Sequence, residues 1–487
     1  MEKLFSNIEH EILNEIKNIK YTGIEYDSRK IKKGNIFLAV EGFQVDGHKY
    51  IESAIKNGAE MIIVSKKVEI INPEIAYIKV KDTRKLMGKI TSNFYNWPQK
   101  NLKIVGITGT NGKTTTTYLL EEILEKAARF GTIEYKIGDE IIEAPNTTPE
   151  SMDIVKMCKK AVEKNLKYLI MEVSSHALEL GRVDMLDFDI AMFTNLTQDH
   201  LDFHENMDNY FGAKIKLFDK LKDKKNGVVN IDDEWGNKII EKYGEVKTYS
   251  MKKGDIVGEI ITYTNHNMKV KIKYAKKEYE FITPLMGKFN LYNIMNAFGG
   301  AIELGIKPEE IVSKLENSKK VPGRFETINE GQNYMVVVDY AHTDDGLKNI
   351  LEALVELKNN KIITIFGAGG DRDITKRPKM AKVAAKYSDF VIATSDNPRT
   401  ENPELILKDV ENGLKESGIS KNRYEVIVAR EEAIEYGISL AKKDDIVLIA
   451  GKGHETYQII GKEKIHFDDR EIARKNIKMA KDKGGVE

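Results

Sequence analysis

Short apolar runs recur along this chain, separated by segments of helical length in which apolar positions come every three or four residues. Up to about residue 98 the runs Ile36 to Val40 and Met61 to Val64 alternate with helix-like stretches near His48 to Asn57 and Thr83 to Asn96. That pattern predicts a small α/β unit. The polar segment NWPQKN, Asn96 to Asn101, carries a proline and reads as a linker. After it come the runs Leu102 to Ile107, Tyr168 to Val173, Asp189 to Thr194 and Gly227 to Ile231, spaced as a parallel sheet with helical crossovers requires. Between Gly258 and Pro284 apolar and polar residues alternate, which predicts antiparallel strands appended to that sheet, with a turn near Asn265 to Asn267. Helices resume at about Leu291. From about Asn329 the runs Met335 to Val338, Ile362 to Phe366, Phe390 to Ala393 and Ile446 to Ala450 predict a further α/β domain. The first twenty residues mix charge with helical periodicity, and Arg474 to Lys483 reads as solvated helix.

A chain of 487 residues exceeds what one hydrophobic core normally serves. Three domains are expected, at 1–98, 99–328 and 329–487. Lysine plus arginine, 76, equals aspartate plus glutamate, 76, so the surface has no overall charge to attract nucleic acid. No stretch reaches the ~18 apolar residues of a spanning helix, and the N-terminal segment lacks the apolar core of an export signal. Cys158 is the only cysteine, which rules out an intrachain disulfide and suits a reducing cytoplasm. A small core side chain is its expected role.

Chemistry enters at Gly106 to Thr116, GITGTNGKTTT, between a buried-strand pattern and a helix. Gly109, Thr110, Asn111 and Gly112 let backbone N–H groups close around phosphate oxygens. Lys113 can reach the terminal phosphates, and the Thr114 hydroxyl, followed by Thr115, can ligate Mg²⁺ at a helix N-terminus that favours anions. The spacing departs from the common pattern, which places glycine where this chain has Ile107. ATP or GTP use follows. Downstream, Glu172 ends a strand in MEVSSHAL, and TNLTQDHLDFH sets Asp199, His200, Asp202 and His204 after another strand end. Ligand crevices of parallel sheets lie at carboxyl ends of strands, so these polar groups are candidates for the metal held by Thr114. Taken singly, each histidine reads as an ordinary hydrogen-bonded residue.

GTNGKTT, EVSSHAL with Arg182, TNLTQDHLDFH, YFGAKIKLF, GKFNLYN, VPGRFE, DYAH, GGDRD, SDNPRTE and GKGHE occur in the order seen in Mur ligases, and the resemblance covers essentially the whole chain. It implies an α/β fold of three domains: one for a UDP-muramoyl peptide, a central P-loop ATPase-like parallel sheet with appended antiparallel strands, and a C-terminal Rossmann-like domain for the incoming amino acid. It further implies that Lys113 and Thr114 hold ATP phosphates and Mg²⁺, that Glu172 completes one metal site and His200 a second, and that Lys214 is the lysine carbamylated in the family. Carbamylation turns a cation into a carboxylate-like anion able to help hold Mg²⁺. An ordinary exposed lysine is the alternative, and Lys216 sits nearby. Asn290 and Asn293 resemble residues near adenine, and Arg324 and Asp339 resemble nucleotide contacts; helix and strand capping is their other reading. Ser28 and the loop Gly42 to Gly47 match the uridine end, while Thr147, Thr148, Ser174 and Arg182 match residues holding the muramoyl peptide. Leu180 stands where some relatives carry glutamine. The segment Thr343-Asp344-Asp345 replaces the family's more usual threonine-proline-aspartate, for which only a local change at the helix start is expected.

For the amino acid, the resemblance points to Arg372, Asn397, Arg399, Gly451 and Glu455. A diamino diacid has a distal ammonium and carboxylate, which glutamate and arginine can pair. Lysine lacks that carboxylate and would leave Arg399 unpaired. The resemblance implies ATP-dependent amide formation through an acyl phosphate, at the D-glutamate γ-carboxylate of UDP-N-acetylmuramoyl-L-alanyl-D-glutamate, and the arginine argument favours meso-diaminopimelate, or a similar diacid such as lanthionine, as the amine. The enzyme is expected to be cytoplasmic, monomeric and without nucleic-acid or membrane partners. A lysine-adding homologue, a folylpolyglutamate synthetase-like ligase and a regulatory nucleotide-binding module are the competing readings. Asp27-Ser28-Arg29 and GFQVDG have no evident task in a folate ligase.

Overall fold

Strands covered on both faces need apolar side chains at consecutive positions, and the N-terminal runs supply them. A computed structural model describes residues 2–14, 21–42, 45–263 and 267–483, and within these the side chains of all but Asp202 and residues 481–483. Two compact units emerge: Met1–Thr108 with Leu124–Met192 and Phe211–Gly227, and Gly109–Ile123 with Phe193–Tyr210 and Val228–Glu487.

In the first unit a sheet runs in the order His10–Ile12, Ala76–Val80, Ala59–Val64, Asn35–Leu38, Gly23–Glu25. Its strands are parallel except at the His10–Ile12 edge. Ile36, Leu38, Met61, Ile63 and Ile78 point to one face and pack with Met87 and Ile90 of the helix Thr83–Phe94. Phe37, Ile62, Val64 and Tyr77 point to the other, with Ile51 and Ala54 of the helix Ile51–Lys56. The same unit holds the parallel strands Lys103–Thr108, Tyr168–Glu172 and Ala127–Phe130, with Glu134–Ile137 and Glu140–Glu143 continuing antiparallel. Cys158, on the helix Ser151–Glu163, is fully buried, and burial pushes its thiol up to about 12.

In the second unit Val228–Asn230, Lys247–Ser250 and Ile256–Tyr263 pair in parallel, and Ile256–Tyr263, Met268–Tyr274 and Lys277–Thr283 antiparallel. Ala275 and Lys276 both take positive φ, 49° and 64°, in the tight turn joining the last two, as a primed hairpin turn demands. The C-terminal sheet runs Glu326–Ile328, Met335–Asp339, Ile446–Ala450, Ile362–Ala368, Phe390–Ser395, Tyr424–Ile427, parallel beyond its first pair. Its core includes Val336, Ile363, Ile392 and Val447.

Several expectations change. The N-terminal helical periodicity gives turns and the strand His10–Ile12; residues 15–20 lie outside the described residues. The spacer between Ile107 and Tyr168 contains strands as well as helices, because EYKIGDEIIE alternates about Gly138, whose φ is 62°. A hairpin, Tyr457–Ile460 with Glu463–His466, turns at Gly461, φ 62°. The turn expected near Asn265 and part of the 42–47 loop, residues 43 and 44, lie outside the described residues. Among the described residues no helix is long and apolar enough to cross a membrane.

Candidate active site

The phosphate loop follows Lys103–Thr108 and opens the helix Lys113–Leu124. Gly109 and Gly112 have φ of 141° and 89°; a Cβ at the first would strike Thr194 Oγ1, at the second Asn293 Oδ1. Glycine is needed there for conformation and for space. The Lys113 ammonium donates to the carbonyls of Gly109 at 2.9 Å and Thr110 at 2.8 Å, so it lies over the loop it serves. The loop is braced by the segment after the strand Ile190–Phe193. Thr110 N–H donates to Asn195 O, Asn111 N–H to Asn195 Oδ1, Asn195 Nδ2 to Asn111 O and Thr197 N–H to Thr110 Oγ1, all within 2.9–3.1 Å.

A cavity of about 640 Å³ opens beside this loop, lined by Asn111, Gly112, Thr114, Thr115, Asn293, Arg324, Asp339, His342 and Asn349 among others. That volume suits a nucleotide. Arg324 donates to Thr114 Oγ1 at 3.3 Å and lies over the Tyr340 ring at 4.7 Å, a cation–π contact that aims the guanidinium. Asp339 accepts from the N–H groups of Phe325 at 2.7 Å and Ala341 at 2.8 Å. Burial pushes its carboxyl up, against the pull of Arg324. Its carboxylate is thus engaged in holding the Arg324 and His342 segments. Asn290 is not among the residues lining the cavity. Its amide donates to Met286 O and its oxygen accepts from Asn293, so it orients Asn293.

Of the polar cluster after the strand Ile190–Phe193, Asp199 and His200 come together, His200 Nε2 standing 3.4 Å from Asp199 Oδ2. Burial would raise the Asp199 carboxyl, but His200, His342 and Lys376 outweigh it and hold it low. His204 is instead a core residue, 5% exposed and packed on Tyr210 at 5.1 Å. The Asp202 side chain lies outside the described residues.

In the first unit Glu172 is 1% exposed at its strand end and accepts from Thr132 N–H at 2.9 Å and Thr132 Oγ1 at 3.1 Å. Any side chain at Gly131 would collide with its Oε1. Thr147 Oγ1 meets Thr132 Oγ1 at 3.1 Å, and Thr148 Oγ1 donates to Glu172 O. Ser174 caps the helix Ser175–Glu179 and its N–H donates to Thr148. Leu180 is the C-cap of that helix. Arg182 donates to Thr148 O and pairs with Glu150 at 2.9 Å, which Arg84 approaches at 3.5 Å. Ser28 is buried at the start of a 3-10 turn, its carbonyl accepting from Asn57. Lys214 is 2% exposed on the helix Met207–Asp219, whereas Lys216 is exposed and paired with Glu179 at 2.7 Å. The two lysines of AKIKLF are thereby told apart.

The C-terminal cluster is tightly bonded. Asn397 Nδ2 donates to Glu455 at 2.9 Å, and the fully buried Lys452 donates to Asn397 Oδ1 at 3.1 Å and Glu455 at 2.9 Å. Gly451, φ 119°, leaves no room for a side chain beside Asp396. Arg399, itself at φ 51°, donates to Gly370 O at 2.7 Å. Arg372 is exposed, and a Cβ on Gly369 would stand 3.9 Å from its Cγ and 3.0 Å from Arg399 Nη1. Sequence reasoning missed Lys452, although GKGHE contains it, and also Thr132 and Glu150, for which only proximity to other motifs was a signal. Among the described residues no cluster of three or more histidine, cysteine, aspartate or glutamate side chains could hold a metal by itself. Magnesium needs only one or two protein carboxylates beside phosphate and water, and the Glu172 carboxylate and the Thr114 hydroxyl, each taken in its own unit, are groups of the kind it accepts.

Sequence models of the Mur ligase family catalytic domain, the Mur ligase middle domain and the Mur ligase glutamate ligase domain match residues 20–95, 107–301 and 323–453. The chain is 53% identical to the UDP-N-acetylmuramoyl-L-alanyl-D-glutamate 2,6-diaminopimelate ligase of Fusobacterium nucleatum over 97% of this chain and 98% of that protein. It is 46% identical to the ligase of the same name from Caldanaerobacter subterraneus over 97% of each. A solved structure of a ligase so named superimposes with a TM-score of 0.65 at 32% identity, covering 94% of this chain and 95% of the other. With its glycine-framed phosphate loop and its DNPR and GKGHE corner, this chain belongs to the Mur ligase family of ATP-dependent ligases.

Proposed function

We propose that this enzyme joins meso-diaminopimelate to the D-glutamate γ-carboxylate of UDP-N-acetylmuramoyl-L-alanyl-D-glutamate in peptidoglycan precursor synthesis, as a monomeric cytoplasmic protein. The observation that carries the reading is the likeness, over nearly the whole chain and including the N-terminal sheet, to relatives named for that reaction. A folate ligase would leave that sheet without a task. The three separate family matches support domains at 1–98, 99–328 and 329–487.

The γ-carboxylate attacks the γ-phosphorus of ATP, giving an acyl phosphate and ADP. An amino group of the diamino acid then attacks the carbonyl carbon, and phosphate leaves from the tetrahedral intermediate. Lys113 and the loop N–H groups stabilise charge on the transferring oxygens. Thr114, Glu172, His200 and a carbamylated Lys214 would hold Mg²⁺, which neutralises phosphate charge. Burial of Lys214, beside a more exposed and paired Lys216, supports Lys214 as the modified residue of the two. Thr147, Thr148, Ser174 and Arg182 orient the muramoyl peptide, and Ser28 the uridine end. Asn397 and Glu455 bind the amino end of the incoming acid. Arg399, with Arg372, binds its distal carboxylate, which disfavours lysine and leaves lanthionine as the close competitor. Orienting reactants contributes roughly 7–11 kcal/mol to such reactions, so a shift in the seating of any of them is costly.

The test is ADP release by purified enzyme, expected only when UDP-muramoyl dipeptide and diaminopimelate are both present, with oxygen-18 passing from labelled dipeptide carboxylate into phosphate. Unlabelled phosphate would refute the acyl phosphate. Turnover with lysine at an equal rate would refute the substrate.

A further inference from the structure

We propose that Asp345 is a positioning residue that holds the phosphate loop in its anion-binding shape from the C-terminal part of the chain; this deepens the ligase reading above. Asp345 stands in the first turn of the helix Asp344–Leu357. An acidic residue there ordinarily serves the helix dipole. The capping task is already taken, because Thr343 Oγ1 accepts from Gly346 N–H at 3.0 Å. Asp345 Oδ2 reaches outward instead. It accepts from Asn111 Nδ2 of the phosphate loop at 2.9 Å, from Thr197 Oγ1 of the bracing segment at 2.9 Å, and from Asn349 Nδ2 one turn on at 3.0 Å.

The bracing segment and the phosphate loop are bonded to one another through Asn195, Thr110 and Thr197. One carboxylate oxygen therefore gathers both partners of that brace, and Asn111, Thr197, Asp345 and Asn349 all line the nucleotide cavity. Burial pushes the Asp345 carboxyl up while the donors from Thr197 and Asn349 pull it down, and donors converging on one carboxylate oxygen favour the charged form, whose bonds are stronger than neutral ones. They fix Asn111 just ahead of Gly112 and Lys113, where small displacements of N–H groups cost phosphate binding. The expectation that this segment alters only the helix start thus covers Asp344, while Asp345 has a separate role.

The test compares wild type with Asp345→Ala, Asp345→Asn and Thr197→Val, using calorimetric binding of a non-hydrolysable ATP analogue and of UDP-muramoyl dipeptide, together with amide hydrogen exchange at residues 109–113. Asp345→Ala should weaken the analogue about tenfold, equivalent to about 1.4 kcal/mol. It should also speed exchange in the loop and leave dipeptide affinity unchanged. Asp345→Asn, which keeps an acceptor oxygen, should recover part of the loss, and Thr197→Val should show a smaller change of the same sign. Wild-type analogue affinity and exchange in Asp345→Ala would overturn the proposal. If that variant does not fold, unchanged values in Thr197→Val would do so. A wild-type enzyme that binds the analogue yet forms no ADP with dipeptide and diaminopimelate would sink the ligase reading alone, since binding and exchange are read without turnover.

Discussion

The phosphate loop and the C-terminal corner both centre on a lysine, and they bury it to different degrees. Lys113 is half-buried, and its ammonium donates to the Gly109 and Thr110 carbonyls of its own loop. Lys452 is fully buried and committed to Glu455 and Asn397. A half-buried ammonium keeps access to solvent and to an approaching anion at a smaller desolvation cost. A fully buried ammonium is tied down, because leaving it unpaired would cost several kcal/mol. The same contrast separates Arg324, which lines the cavity, from Arg430, buried and bidentate to Asp469 at 2.7 and 2.8 Å.

The largest effect should come from Lys113→Ala, expected to lower ADP formation by at least about 10²–10³-fold while leaving the melting temperature near wild type. A large loss of stability would erase the contrast with Lys452. Next, Arg399→Lys should reduce kcat/KM for diaminopimelate about 100-fold and narrow the preference over lysine, measured by competition. An unchanged ratio would remove Arg399 from recognition. Lys452→Met should cost about 3 kcal/mol in denaturant unfolding, since it leaves Glu455 without its cation. A neutral result would mean the corner is held by Asn397 and packing alone.

The smallest effect is pH-dependent. Burial, reinforced by Arg324 and Arg470, pushes His454 down to about 3. The unfolded chain takes up a proton near the ordinary value of ~6.5 while the folded protein does not, so stability is full above that pH and falls as pH drops toward 3. At pH 5 this term destabilises by about 2 kcal/mol relative to pH 7.5. His454→Gln should flatten that part of the melting profile. Parallel profiles for the two proteins would show that His454 is protonated in the fold.

Much of this was legible in one dimension. Apolar runs such as Met61 to Val64 and Ile446 to Ala450 became buried strands because continuous apolar stretches suit only sheets covered on both faces. The strands Ala127–Glu143 were missed because their alternation is short and half-polar, indistinguishable locally from a helical spacer. His204 carried a ligand's chemistry and took a core position, since packing against Tyr210 is set by the helix it sits on.

By itself, then, the sequence determined element types and the chemical inventory: glycines where φ must be positive, a lysine and threonines after them, and the arginine and glutamate proposed for a diamino diacid. Those follow from local sterics and from the intrinsic chemistry of each side chain. Only the tertiary structure decided which of Lys214 and Lys216 is buried, that Asp339 and Asn290 orient neighbours, and that Asp345 reaches Asn111 across 234 positions of chain. Burial and hydrogen-bond partnership depend on what the fold brings alongside, and no local pattern encodes that.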